Sequence, residues 1–557
     1  MAASRRSGGI RSMTTWRLVR CHRLFGGAQL QFESSRVLTE RERPDWLKLR
    51  RFDLPSGRFV AMLALRAVFL FGLKSIHASI LSVSERITLG ECLDNAAVTS
   101  SDVLFPEVSR VGVVPSAVVT QAESDIQAAA FMSISYGQSF KIVTERFSKE
   151  QYVLTHCGMS QPSTAELDAL APLEAGYQRK FFTIPLQRVI AGGTTVLGFL
   201  RRLGVADRVS HIDQSATGPC WQKALSCNAS FESSWGGNAT LRTMQMETAD
   251  AVFMDCSGDC AALRAQLNAV HFPATKDNGN LHTAEYIKFI AAFFNLEAAA
   301  NQFFDATVAA YTANAGQVNG PKVAWIEYNT WGALPSYRVS MATYRAQMVD
   351  AAGGRMVNAS DLLAQGMAVR DIVASNPGAG KVYILEINAS ETTAATVAQT
   401  LMSALSDVDI VVDETYAPTP RTYTFASFLA GFHLTEASNL KFVKDRMVLR
   451  WDGTLSESDG LDWFESRVSS PDWAVEGLAR YVKNDTSKQQ KYFRNIATGE
   501  MPVVILASQC TETLPACDAT ANEAPIMSPR QEAGLSGAQG HAFPILAAIA
   551  SLALWLC

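Results

Sequence analysis

The chain has 557 residues, a formal net charge of −4 and 48% hydrophobic residues, which is ample for two domains with full cores. Basic residues concentrate in 1–58, so the remainder is acidic. An acidic body excludes a general nucleic-acid binder.

Residues 1–58 are arginine-rich and show no clear periodicity. An apolar run over 59–73, interrupted by Arg66, leads to Lys74-Ser75-Ile76-His77-Ala78. Read from Met62, this is a short secretory signal with a small-residue cleavage site near Ala78; a signal anchor or an organelle presequence are the alternatives. Polar, small-residue chain over 79–130 is a lead-in segment. Alternating patterns at 139–144 and 151–156, joined by a charged turn, predict a hairpin.

The stretch 180–213 predicts a βαβ unit. An apolar strand over 181–189 runs into the turn Ala191-Gly192-Gly193-Thr194-Thr195. A helix follows with apolar spacing at Val196, Leu197, Leu200 and Leu203, stops at Gly204, and leads to a strand over 209–212. The turn lies at the carboxyl end of a strand, where open parallel sheets bind ligands. Further strands are predicted at 248–255, ending in Asp255-Cys256-Ser257-Gly258, and at 269–272.

Residues 283–313 contain no Pro or Gly and begin with Thr283, an acceptable N-cap, so they predict one helix of roughly 45 Å. Its Phe289, Phe293, Phe294, Phe303 and Phe304 are expected in the core. A second α/β set follows: a buried strand over 322–328 ending at Asn329-Thr330-Trp331-Gly332, a helix around 340–350, and strands over 382–387 and 408–412, the last ending in Asp413-Glu414-Thr415.

Ten cysteines are present, and eight lie between the terminal segments, an even number that fits disulfides in an oxidising compartment. Close spacing suggests the pairs Cys220–Cys227, Cys256–Cys260 and Cys510–Cys517. Acceptor triplets for N-glycosylation begin at Asn228, Asn238, Asn358, Asn388 and Asn484. Residues 542–557 are apolar and uncharged, and follow a small, polar stretch. That is the pattern of a glycolipid-anchor signal with attachment at Ser528, Gly534 or Ser536; a tail-anchored helix or a buried C-terminal strand are the alternatives.

Catalytic signatures are missing from the sequence: there is no H-E-x-x-H, no G-x-S-x-G and no G-x-x-x-x-G-K, and Gly192-Gly193 has no third glycine to complete a dinucleotide fingerprint. No cofactor is expected.

Several of these stretches together resemble the periplasmic-type solute-binding proteins that capture ferric siderophores and cobalamin. Leu203-Gly204 followed by Asp207-Arg208-Val209 matches the first-lobe pattern of that family. Asn295-Leu296-Glu297 followed by Ala300 resembles the step into its inter-lobe helix, with the usual glycine replaced. Ala352-Gly353-Gly354 matches a second-lobe step, and Asp462-Trp463-Phe464 before Pro471-Asp472 resembles a motif of eukaryotic members.

The resemblance implies an α/β fold of two Rossmann-like lobes joined by a long inter-lobe helix. The implied divisions are 1–78 as extension and signal or anchor, 79–130 as lead-in, 131–282 as first lobe and 283–313 as inter-lobe helix. After these come 314–485 as second lobe, 486–541 as C-terminal extension and 542–557 as hydrophobic tail. The implied function is non-catalytic capture of an iron–siderophore or related iron chelate at the extracellular face of the plasma membrane, with a membrane transporter or reductase as partner and no nucleic acid.

Strand-end loops supply the expected lining: Gly193, Thr194, Thr195, Gln214, Ser215 and Ser257 from the first lobe, and Asn329, Trp331, Tyr337, Arg338, Glu414 and Tyr416 from the second. Two other readings remain open. One is a zinc or manganese receptor of related fold using His211, His271, His282 and Asp413. The other is an exported enzyme using the same cleft.

Overall fold

The computed structural model describes residues 82–514, apart from 100–101, 103, 107–109, 111–128, 233–236, 256–264, 314–319, 332, 375 and 513. The predicted signal segment, the hydrophobic tail, Ser257, Cys256, Cys260 and Cys517 therefore lie outside the described residues.

The first lobe holds two four-stranded sheets. In one, β1 (Met132–Tyr136), β2 (Phe140–Glu145) and β3 (Glu150–His156) run antiparallel, and β4 (Gln178–Ile184) joins β3 in parallel. The second sheet is fully parallel: β5 (Val189–Ala191), β6 (Val209–Ile212), β7 (Ala251–Met254) and β8 (Ala269–His271), in the order β6-β5-β7-β8. The predicted hairpin is β2–β3. The predicted strand 181–189, by contrast, is two strands in different sheets. Pro185 separates them, because it has no N–H to give to a ladder.

The predicted βαβ unit is β5, α1 (Thr194–Arg202) and β6. Val196, Leu197, Phe199 and Leu200 bury one side of α1. A Cβ at Gly198 would stand 2.4 Å from the Glu465 carbonyl oxygen, so only glycine permits that approach.

The 31-residue helix is not continuous. The chain forms α2 (Asn280–Ala284), α3 (Ile287–Ala292) and α4 (Glu297–Thr312). The break after α3 has a local cause. Asn295 adopts φ +59°, the left-handed conformation that asparagine tolerates. Buried Lys141 of β2 then pins the corner. Its ammonium donates to the Ala292 carbonyl and to Asn295 Oδ1, both at 2.9 Å, and pairs with Glu297 at the start of α4. A cation at the end of one helix and a carboxylate at the start of the next both suit the helix dipoles. The phenylalanines pack as expected, with Phe289, Phe293, Phe294 and Phe304 buried and Phe303 against the core.

The second lobe is built on one mixed sheet. Its strands are β9 (Lys322–Asn329), β10 (Ser336–Ala342), β11 (Arg355–Met356), β12 (Ala368–Asp371), β13 (Gly380–Glu386), β14 (Ile410–Asp413), β15 (Val448–Arg450) and, after the short β16 (Thr454–Leu455), β17 (Arg494–Asn495). The order is β12-β13-β10-β9-β14-β15-β17, with β11 beside β9. β9 and β10 form an antiparallel hairpin, so the predicted helix at 340–350 begins only at Thr343 (α5, Thr343–Ala351). β18 (Val503–Val504) pairs with β16.

One continuous core runs from the first lobe through α3 and α4 to Val323, Trp325, Ile410 and Val412 on one face of the second-lobe sheet. Ala324, Ile326, Tyr337, Val339 and Val411 serve a separate core on the other face. The closing helix α7 (Pro471–Val482) packs on α4.

Two disulfides are described. Cys92–Cys157 ties the lead-in segment to the end of β3. Cys220–Cys510 replaces the local pairs expected for those cysteines, and Cys227 is disulfide-bonded as well. Closeness in sequence misled here because residue 510 is carried back to the first lobe. Gln222 donates to the Ile505 carbonyl at 3.0 Å and accepts from the Glu457 amide at 2.9 Å, holding that strap beside its own helix. Among the described residues no helix is long and apolar enough to cross a membrane.

Candidate functional site

The pleat of β9 and β10 determines which residues can meet a ligand. Side chains alternate between faces, and cross-strand partners share a face. Pairing Ser336 with Asn329, Arg338 with Glu327 and Ser340 with Trp325 places these six on the face that looks toward the first lobe. Tyr337 points the other way. It is 0% exposed, donates its hydroxyl to the Gly431 carbonyl at 3.0 Å and packs against Tyr328 and Phe432. Its expected place in the lining is therefore wrong: it is one residue out of register with Arg338, and one residue changes the face.

The outer end of this face is aromatic. Trp331 sits in the β9–β10 turn, 53% exposed, with its ring edge-on to that of Tyr416, 63% exposed, at 5.8 Å. Asn329 is nearly buried and shapes the turn: its Oδ1 accepts from the Trp331 amide and its Nδ2 donates to Glu327. Arg338 donates to Ser336 Oγ and lies 3.9 Å from Glu327.

Further in, Arg345 at the start of α5 donates to Glu414 through two nitrogens, at 3.1 and 2.6 Å, and to Ser340. Burial pushes the Glu414 carboxyl up to about 7 against the pull of Arg345, with Glu327 and Asp413 adding to the rise. Neighbouring Asp413 faces the opposite way, into a buried network with Arg450 and, through it, Asp452 and Arg494. At the inner end, Trp325 and Trp463 lie 5.9 Å apart. The Arg345 and Arg467 guanidinium groups stand over these rings and over Tyr344.

The first-lobe loops are engaged by the chain itself. Thr195 donates its hydroxyl to the Phe464 carbonyl at 3.2 Å. Glu465, at the end of α6 (Asp462–Glu465), accepts from the Thr217 and Gly218 amides, and Asp462 accepts from Thr217 Oγ1 at 2.9 Å. Both carboxyls are buried and raised, Glu465 to about 8, by burial first and then by Asp462. Gly193 has open space around it, Thr194 is half-buried, Gln214 is exposed, and the Ser215 backbone N–H donates to Asp213 Oδ1 at 2.8 Å.

Arg345, Arg467, Tyr344 and Glu327 were not singled out from the sequence. The strand pleat would have indicated Glu327; the others reach the site only through helix packing.

The alternative metal ligands do not converge. His211 bonds to Ser210, and burial drops its imidazole to about 4; His271 bonds to Glu145; His282 lies near Asp277; Asp413 pairs with Arg450. Among the described residues no group of three or more His, Cys, Asp or Glu side chains could hold a metal ion. Four sequon asparagines, Asn228, Asn238, Asn358 and Asn484, are exposed, and Asn388 is half-buried.

No family model matches this sequence, and no curated protein matches it either. Solved structures similar to it include a periplasmic binding protein from Veillonella parvula, at 13% identity and TM-score 0.36, covering 54% of this chain and 91% of that one. A periplasmic heme-binding protein from Pseudomonas aeruginosa shares 14% identity at TM-score 0.35, over 55% and 95% of the two chains. A siderophore-binding protein solved with two molecules of acinetobactin and ferric iron shares 12% identity at TM-score 0.36, over 55% and 94%. The chain, an α/β protein, is thus similar to periplasmic-type solute-binding proteins.

Proposed function

We propose that this protein is a non-catalytic solute-binding protein that captures an iron–siderophore or related iron chelate at the outer face of the cell. The observation that carries the reading is the inward face of β9 and β10. Two exposed aromatic rings at its rim, Trp331 and Tyr416, lead to a track of charged groups, Glu327, Arg338, Arg345 and Glu414. A bulky polar chelate coordinates its own metal, so its receptor needs aromatic surface and a few placed polar groups, and no metal ligands of its own.

Disulfide-bonded cysteines suit an oxidising compartment. The exposed sequons suit a glycoprotein, and a lipid attached between Ser528 and Ala538 would hold the mature protein at the membrane, where a transporter or reductase would receive its cargo. A panel of ferric hydroxamate, catecholate and carboxylate complexes, titrated while following tryptophan fluorescence, tests the binding reading. Saturable quenching by one class supports it, and silence across the panel refutes it. A phosphatidylinositol-specific phospholipase should release the protein from cells. Finding residues 542–557 retained in the mature protein would refute the anchor.

A further inference from the structure

The C-terminal strap is fastened to both lobes. At its second-lobe end, β17 pairs with β15 of the large sheet, and β18 pairs with β16, which follows β15 in the chain. At its far end, Cys510 is bonded to Cys220 on the first-lobe helix Pro219–Ser226, with the two Cα atoms 4.6 Å apart. In chain order the lobes are otherwise joined through α2–α4. The bond therefore closes a covalent ring that passes through both lobes. The other ties described on this flank are hydrogen bonds. Gln222 donates to the Ile505 carbonyl and accepts from the Glu457 amide. Glu465 accepts from the Thr217 and Gly218 amides, Asp462 accepts from Thr217 Oγ1, and Thr195 donates to the Phe464 carbonyl.

These two kinds of tie differ in what they permit. A hydrogen bond exchanges its partner for water at modest net cost, so a joint made of such bonds opens and recloses. A disulfide keeps its Cα atoms within about 6.8 Å of each other, so from 4.6 Å it leaves about 2 Å of play. We propose that Cys220–Cys510 is a thiol-operated clasp. Intact, it holds the first lobe against α6 along this flank; reduced, it lets the joint at Glu465 open. Cys220 is buried and Cys510 half-buried, so Cys510 Sγ is the sulfur that a thiolate from solution meets. The reductant is a small dithiol. Its thiolate attacks Cys510 Sγ, and the Cys220 sulfur leaves as a thiolate and takes up a proton. The second thiol of the reductant then attacks the mixed disulfide, forming the reductant's own disulfide and freeing Cys510 as a thiol. Two electrons thus pass from the dithiol to the cysteine pair. The clasp is independent of what the lobes bind.

The experiment compares the full chain with the double variant Cys220→Ala/Cys510→Ala by hydrogen exchange and small-angle scattering. The Thr217 and Gly218 amides, which donate to Glu465, report on the joint. In the variant they should exchange roughly 30-fold faster, the low end of what a cross-link contributes. Amides of β9, inside the second-lobe sheet, should keep their protection, and the radius of gyration should rise. Dithiothreitol added to the wild type should reproduce these changes, and reoxidation should reverse them. Cys92→Ala/Cys157→Ala should show neither change, because that bond ties the lead-in segment to β3 within the first lobe. If Cys220→Ala/Cys510→Ala fails to fold, dithiothreitol acting on the folded Cys92→Ala/Cys157→Ala chain carries the test. Unchanged exchange at Thr217 and Gly218, an unchanged radius, or acceleration spread equally through β9 overturns the clasp. A Cys220–Cys510 bond that stays oxidised in dithiothreitol while the protein is folded, read by thiol labelling and mass spectrometry, overturns the switch.

Discussion

Trp331→Ala separates a binding surface from a structural one. The ring is 53% exposed and rests on Tyr416, which is itself mostly exposed. A tryptophan side chain offers roughly 200 Å², so about 100 Å² is left for a ligand to cover. At ~25 cal/mol per Å² that is ~2.5 kcal/mol, or about 70-fold in Kd. Isothermal titration with whichever ferric complex binds wild type should therefore show a loss of that order. The apo protein should lose no more than about 2 kcal/mol, because half of the ring is already exposed and its aromatic neighbour Tyr416 is mostly exposed too. Tyr337→Ala, from the same hairpin but the opposite face, is the internal control. It should cost about 3–5 kcal/mol of stability through a cavity and a lost hydroxyl bond, and the fraction that folds should bind normally. If Trp331→Ala binds as wild type while its melting temperature falls by several degrees, the ring is structural and the aromatic rim is not a binding surface.

Two further perturbations test the architecture. Lys141→Met should destabilise the fold by about 3–5 kcal/mol in urea denaturation, since it leaves Glu297 charged and buried without its partner; adding Glu297→Leu should recover most of the loss, and a single mutant of wild-type stability would refute the account of the α3–α4 corner. Glu465 binds a proton more tightly folded, at about 8, than unfolded, so its contribution is fully present below the ordinary glutamate value of 4.5 and is lost as pH rises through 8. Stability should therefore fall between about pH 4.5 and 8 and level off above that, and Glu465→Gln should flatten that slope; an unchanged slope in the variant would refute the account.

The sequence alone determined the elements that depend on local pattern. Apolar spacing marked α1, and apolar runs marked β6, β9 and β14 to within two residues. Strand-end turns pointed to Trp331 and Tyr416 because a loop after a buried strand must emerge at the sheet edge. Tertiary structure decided everything that depended on which distant segment arrives. Nothing in the uninterrupted pattern of 283–313 announces a corner at Asn295, because the ammonium that pins it comes from Lys141 on β2. The Cys220–Cys510 bond spans 290 residues and forms only because the chain returns to the first lobe after β17. Arg345 and Arg467 look like ordinary surface arginines in sequence. Tertiary packing carries them over the rings of Trp325, Tyr344 and Trp463, residues far apart in the chain, so their surroundings could not be read from local pattern.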